Sequence, residues 1–134
     1  MKVAWISALS VSVALASAAF AAEAEAPKAA TDWLGLVDRG EYGQSWSVSG
    51  ALFHARVSQA EWTAKVAPVR QPLGPVQSRR LTSEQQTTSL PGAPDGHYAV
   101  VQFSTSFANK RGAIETVILA QEPSGWTVDG YFVR

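Results

Sequence analysis

Asp129 stands between Val128 and Gly130 in the closing run WTVDGYFVR, with Tyr131 two residues on. Strand alternation puts the carboxylate and the phenol on one face. Where that face lines a hollow, desolvation raises the carboxyl pKa and makes it a general base. A tyrosine such as Tyr42 or Tyr98 then donates a hydrogen bond to an enolate oxygen, the logic of ketosteroid isomerase. The competing reading is structural: Asp129 faces solvent or pairs with an arginine, the commoner fate of such a carboxylate.

Three arginines frame the run RQPLGPVQSRRL. Arg70 closes a helical segment, where it is placed to meet free carbonyls. Arg79 and Arg80 are neighbours on the next element, and successive strand residues point to opposite faces, so the two cannot form one basic patch. Arg70 and Arg79 are expected to pair with Asp38, Glu61 or Asp129 and to lock a helical layer to a strand, with Pro72-Leu73-Gly74 as the crossing. Trp126 opens the last strand beside a turn, where it is a contact candidate for a ligand or partner. The binding set is therefore Arg70, Arg79, Asp129, Tyr131 and Trp126, and no residue is assigned a catalytic role.

Other chemistries lack their parts. The chain has no cysteine, which removes thiol catalysis, thiolate metal sites and disulfides. His54 and His97 lack zinc-ligand spacing. There is neither a Gly-x-Ser-x-Gly elbow nor a phosphate-cradling glycine loop. No metal and no cofactor is expected. With 11 basic and 11 acidic side chains the formal charge is zero, which gives no chain-wide attraction to nucleic acid.

The first 21 residues read as a signal peptide. Lys2 supplies the positive start, Val3 to Phe20 is apolar, and Ala19-Phe20-Ala21 ends in a cleavage pattern before Ala22. The product is expected to be periplasmic or secreted, without a membrane anchor after cleavage. Residues 22–28, AEAEAPK, read as a flexible leader, and residues 29–134 as one domain.

The elements that must position these side chains follow from periodicity. Ala30, Trp33, Leu34 and Val37 repeat at helical spacing, and Gly40 is placed to end that helix. A second, aromatic helix carries Tyr42, Trp46 and Phe53, with His54 near its end. The third has the clearest start: Ser58 and Glu61 make a capping box, and Val57 and Trp62 a hydrophobic staple. Trp62, Val66 and Val69 continue its apolar face. Beyond Gly74 the period becomes two. Val76 to Leu90 reads as an exposed edge strand anchored by Val76 and Leu81. The next strand points Ala99, Val101, Phe103 and Phe107 one way, and the third points Ala113, Glu115, Val117 and Leu119 one way. On the last strand Trp126, Val128 and Phe132 face opposite to Thr127, Asp129 and Tyr131. The sum is an α+β domain: about three helices packed on a curved four-stranded antiparallel meander, with the cone shape of cystatin-like and nuclear-transport-factor-like folds.

The stretches WLGLVDRGEYGQSW, VSQAEWTAKVAPVRQPLGPVQSR and GWTVDGYFV resemble a bacterial family known only as domain of unknown function 4019. The likeness covers about Ala30 to Val133. It is most specific at Arg70, Pro72-Leu73-Gly74 and Arg79, is matched also at Asp38, Gly40, Tyr42 and Trp46, and departs at Pro68. It implies an exported protein with a cone-like fold and brings no activity. The expected role is a binding or accessory module of the bacterial envelope, with an envelope protein or a small apolar ligand as partner. A homodimer through the uncovered sheet face is the structural alternative, and an isomerase or lyase built on Asp129 and a tyrosine the catalytic one.

Overall fold

The computed structural model describes residues 14–134, with side chains from residue 25 onward. Four α-helices come first: α1 (Ala14–Asp38), α2 (Tyr42–Ser47), α3 (Ala51–Arg56) and α4 (Gln59–Arg70). A single turn of 3₁₀-helix (Gln71–Leu73) leads into the strands β1 (Val76–Thr87), β2 (Tyr98–Phe107), β3 (Lys110–Glu122) and β4 (Gly125–Val133). The strands form one antiparallel sheet in the order β1-β2-β3-β4, the expected meander.

Residues 1–13 of the expected signal segment lie outside the described residues. The leader reading of residues 22–28 gives way to helix, because α1 runs through them and Ala26 is fully buried. Alanine and glutamate are strong helix formers. The stripe Ala26, Ala30, Trp33, Leu34 and Val37 is then one continuous apolar face on the core. Pro27 lies inside this helix and removes one backbone donor. At the other end Gly40 has φ of 75°, the Glu41 amide bonds the Leu36 carbonyl at 2.9 Å and the Gly40 amide bonds Val37 at 3.0 Å. These two bonds are a Schellman cap, and the left-handed residue they require is the glycine.

The expected single second helix is two helices, broken at Val48-Ser49-Gly50. The Ser49 hydroxyl takes the Ser45 carbonyl at 2.7 Å, and the Gly50 amide leaves the helix for the Val128 carbonyl on β4 at 2.8 Å. Serine and glycine resist the break weakly. The α4 start matches the reading: Ser58 Oγ accepts from the Glu61 amide at 3.2 Å, and the Glu61 carboxylate accepts from the Ser58 amide at 3.3 Å. Its far end does not. Val69 is 46 % exposed, and Arg70 occupies the buried position four residues after Val66.

Aromatic side chains of the helical layer pack against the inner face of the sheet. Trp33 and Trp62 lie 5.8 Å apart, centroid to centroid, and Tyr131 approaches Trp33 at 5.5 Å. Phe53 meets Trp62 edge-on at 5.0 Å. The two indole N–H groups both find an acceptor on the buried Ser45, and Trp33 Nε1 reaches Ser49 Oγ as well. Trp33 Nε1 donates to the Ser45 carbonyl at 2.9 Å, and Trp62 Nε1 donates to Ser45 Oγ at 3.0 Å. Buried indole N–H groups need such acceptors. The sheet supplies Ala99, Val101, Phe103, Val117, Leu119 and Val128 from below. Leu81, expected as an anchor, is 49 % exposed on the edge strand.

Two irregularities decide what faces inward. A bulge in β1 lies between Leu81 and Ser83. In β4, Val128 pairs with Leu119 and Gly130 with Ile118, so Asp129 is an extra residue on its strand. One inserted residue reverses the alternation beyond it. Val128 and Tyr131, expected on opposite faces, therefore both turn into the core, while Phe132 turns outward at 61 % exposure.

Candidate functional site

The strongest concentration of chemistry lies where α1, α4, β1, β3 and β4 converge. Asp38 comes from the last turn of α1, Arg70 from the last turn of α4, Arg79 from β1, Glu115 from β3 and Tyr131 from β4. Arg79 straddles two carboxylates. Its Nη1 and Nη2 donate to Asp38 Oδ2 and Oδ1 at 2.7 and 2.9 Å, and its Nε donates to Glu115 Oε1 at 2.8 Å. Arg70 Nη2 donates to Asp38 Oδ1 at 2.7 Å, and its Nη1 lies 4.0 Å from Glu115 Oε2. The remaining lone pairs of Glu115 accept from Thr105 Oγ1 at 2.6 Å and from the Tyr131 hydroxyl at 2.5 Å. The Arg70 guanidinium also sits 4.9 Å over the Phe107 ring.

The set balances: two guanidinium groups face two carboxylic side chains. Glu115 is fully buried and the Arg70 side chain is 4 % exposed, so each needs the others to offset its lost hydration. Burial works against ionisation of Asp38, but the hydrogen bonds and charges of Arg79 and Arg70 outweigh it and hold the carboxyl below its usual range. Burial also opposes the Arg79 charge, which Asp38 and Glu115 nonetheless keep firmly in place. Burial and the neighbouring Glu115 push the Tyr131 phenol far up, so it serves as a neutral hydrogen-bond donor. One polar atom, Arg70 Nε, is buried without a partner among the described residues.

The pairing of Arg70 and Arg79 with Asp38 agrees with the sequence reading; Glu61 and Asp129 are not their partners. Arg80 is exposed, on the opposite face from Arg79. Glu115 and Thr105 were missed as members. The signal was present, because Glu115 interrupts the inward row Ala113, Val117, Leu119, where a lone carboxylate requires a buried cation.

Asp129 belongs to another place. Its Oδ1 accepts the Phe53 amide at 3.1 Å. Phe53 is the third residue of α3, whose N-cap position is Gly50, a residue with no side chain to do the job. Asp129 caps α3 from a distant strand. Gly50 makes the room: a Cβ there would lie 2.7 Å from Thr127 Oγ1 and collide with Asp129 Oδ1. Neither expected alternative, solvent or an arginine pair, describes this. Burial pushes the Asp129 carboxyl up, and the bond from Phe53 opposes it. Tyr98 lines the same shallow groove of about 290 Å³, but its hydroxyl donates to the Pro94 carbonyl at 2.5 Å. Tyr42 packs against the core and lines the cleft beside Arg70.

Trp126 is half-buried against the core and lines a separate groove of about 320 Å³ with Ala29, Trp33 and Val48. Between α4 and the free side of β4 runs an apolar groove of about 290 Å³, walled by Val66 and Val69 on one side and by Tyr131, Phe132 and Val133 on the other. Among the described residues, no three histidine or acidic side chains converge as metal ligands, and no helix is long and apolar enough to cross a membrane.

A family model described as protein of unknown function (DUF4019) matches residues 29–131. No curated protein and no solved structure matches the chain. Asp38, Arg70 and Arg79, three of the residues carrying the sequence likeness, are the ones the fold joins by ion pairs.

Proposed function

The chain belongs to the DUF4019 family, and from the filling of its sheet we propose that it is an exported binding module of the bacterial envelope that works through its surface. The observation that carries this reading is the packed interior. Trp33, Phe53, Trp62 and Tyr131 fill the space between helices and sheet that a ligand or substrate would need. The polar groups beneath the sheet support one another, and Glu115 and Tyr131 have their hydrogen-bonding capacity committed to protein partners. The Asp129 carboxylate caps a helix, which argues for architecture over proton transfer. Export rests on the leader composition alone.

The test is site-specific photocrosslinking in the envelope of the producing cell. A photoreactive residue replaces Phe132, Arg80 or Gln121 in turn, covering the open groove, the outer face of β1 and the far end of β3. A discrete adduct from at least one position is expected. Adducts from none, together with turnover of a small carbonyl substrate that Asp129→Asn abolishes, would replace the binding reading with the catalytic one.

A further inference from the structure

We propose that the open edge of β4 takes up an extended segment of a partner polypeptide, alternately apolar and acidic, as a fifth strand of the sheet. The inference rests on the binding reading above and names the partner chemistry of the α4–β4 groove.

Only part of that edge is open. Upstream, the Gly50 amide already occupies the Val128 carbonyl, and the Asp129 bulge ends the regular edge there. Downstream, Arg134 and Ile114 exchange both backbone bonds, at 2.9 and 3.1 Å. In an antiparallel ladder, bonded residues alternate with residues whose N–H and C=O turn the other way. Phe132 and Gly130 therefore bond toward β3, and Tyr131 and Val133 turn their backbone groups outward. No other backbone segment among the described residues bonds to them.

The groove beside this edge suits the side chains of an added strand. Successive residues of a strand point to opposite faces. One set would descend against Val66 and Val69, and the other would lie beside Phe132 on the outer face. Phe132 and Val69, at 61 % and 46 % exposure, are among the most exposed large apolar side chains of the domain. The twelve residues of α4 extend about 18 Å, the reach of five or six strand residues. Main-chain bonds with pockets for alternate side chains are the usual form of recognition by strand addition.

Charge selects the occupant. Among the described residues Lys65 is the only charged side chain lining the groove, and Arg134, which follows Val133, is exposed. Acidic side chains of the neighbouring elements have other partners, Glu115 inside the core, Glu61 in the α4 cap and Asp129 at the start of α3. A second copy paired across a two-fold axis would bring the same cations to the seam with no acidic lining side chain to meet them. An acidic strand answers them.

The probe is an acetylated, amidated hexapeptide alternating glutamate with valine, titrated into the ¹⁵N-labelled protein beside its lysine-for-glutamate counterpart. Saturable shifts and slowed hydrogen exchange at the Tyr131 and Val133 amides are expected with the acidic peptide. N-methylation of the peptide amides on its bonding side should abolish them, and methylation on the other side should not. Lys65→Glu, on an exposed helix position, should weaken the acidic peptide roughly fivefold, as expected of one solvated ion pair. Shifts that cluster elsewhere, or none up to millimolar peptide, overturn the proposal. So does protection of Tyr131 and Val133 in the protein alone with a doubled mass by light scattering, which assigns the edge to a second copy. A crosslinked partner found at Arg80 or Gln121 alongside a negative titration would keep the binding reading and discard the edge.

Discussion

Replacing Glu115 by leucine tests whether the buried charges act as one unit. Leucine is close to glutamate in size, so the change is mainly electrical. It strips the Arg79 Nε of its acceptor at 2.8 Å and the Thr105 and Tyr131 hydroxyls of theirs. It also leaves two guanidinium groups facing Asp38 alone. Breaking one partner of a buried pair costs about 3–5 kcal/mol, a large part of the roughly 5–15 kcal/mol that holds a domain of this size together. At about 4–8 °C per kcal/mol the melting temperature should fall by roughly 12 °C or more. Arg79→Met alone should cost a similar amount, since Glu115 then loses its nearest counter-charge at 2.8 Å and keeps only Arg70 at 4.0 Å. The double variant restores the balance, leaving the Arg70–Asp38 pair at 2.7 Å intact, and is expected within about 2 kcal/mol of the parent. Urea unfolding of all four proteins completes the cycle. If the two single losses simply add, within about 0.5 kcal/mol, the groups are independent and the reasoning is wrong.

Three further outcomes follow from the same geometry. Asp129→Ala should cost about 1 kcal/mol by uncapping α3, whereas Asp129→Asn, which keeps the acceptor, should be near neutral at pH 7 by the same denaturant assay. Ser45→Ala removes the acceptor of Trp62 Nε1 and should lose about 1–3 kcal/mol, read together with a change in tryptophan fluorescence. The Asp38 carboxyl is held below its unfolded value, so its contribution is present above the unfolded pKa and lost as pH falls through the folded one. Asp129 has the opposite sign, because its raised pKa makes the folded state take up a proton first, adding stability as pH falls. The unfolding midpoint of Asp129→Asn should therefore drop more steeply than the parent's between neutral pH and the range where Asp38 protonates. A parallel course in the two proteins would contradict this assignment.

Much of the architecture was legible from local pattern. Helical spacing of Ala30, Trp33, Leu34 and Val37, the Ser58–Glu61 box, the Gly40 stop and the period-two rows of β2 and β3 depend on neighbours within a turn or a strand. Such signals survive without knowledge of the fold. Even the opposite facing of Arg79 and Arg80 needs only the pleat. What failed was set by contacts distant in sequence. The aromatic second helix broke in two because the Gly50 amide found a better partner on β4, about eighty residues along the chain.

The Asp129 bulge is the clearest case. Alternation alone put Tyr131 with Asp129, away from Val128, and one extra residue against Leu119 turned Tyr131 inward to Glu115 and Phe132 outward to the groove. No pattern within WTVDGYFVR marks that insertion, because a bulge is chosen by the register of the partner strand and by the helix end that Asp129 must reach. Sequence by itself determined the order of helices before strands and the apolar faces of the helix from Ala30 to Val37 and of β2 and β3, since those follow from propensity and spacing. Tertiary structure alone decided which charges meet and which strand edge stays open, since burial and pairing are properties of elements brought together.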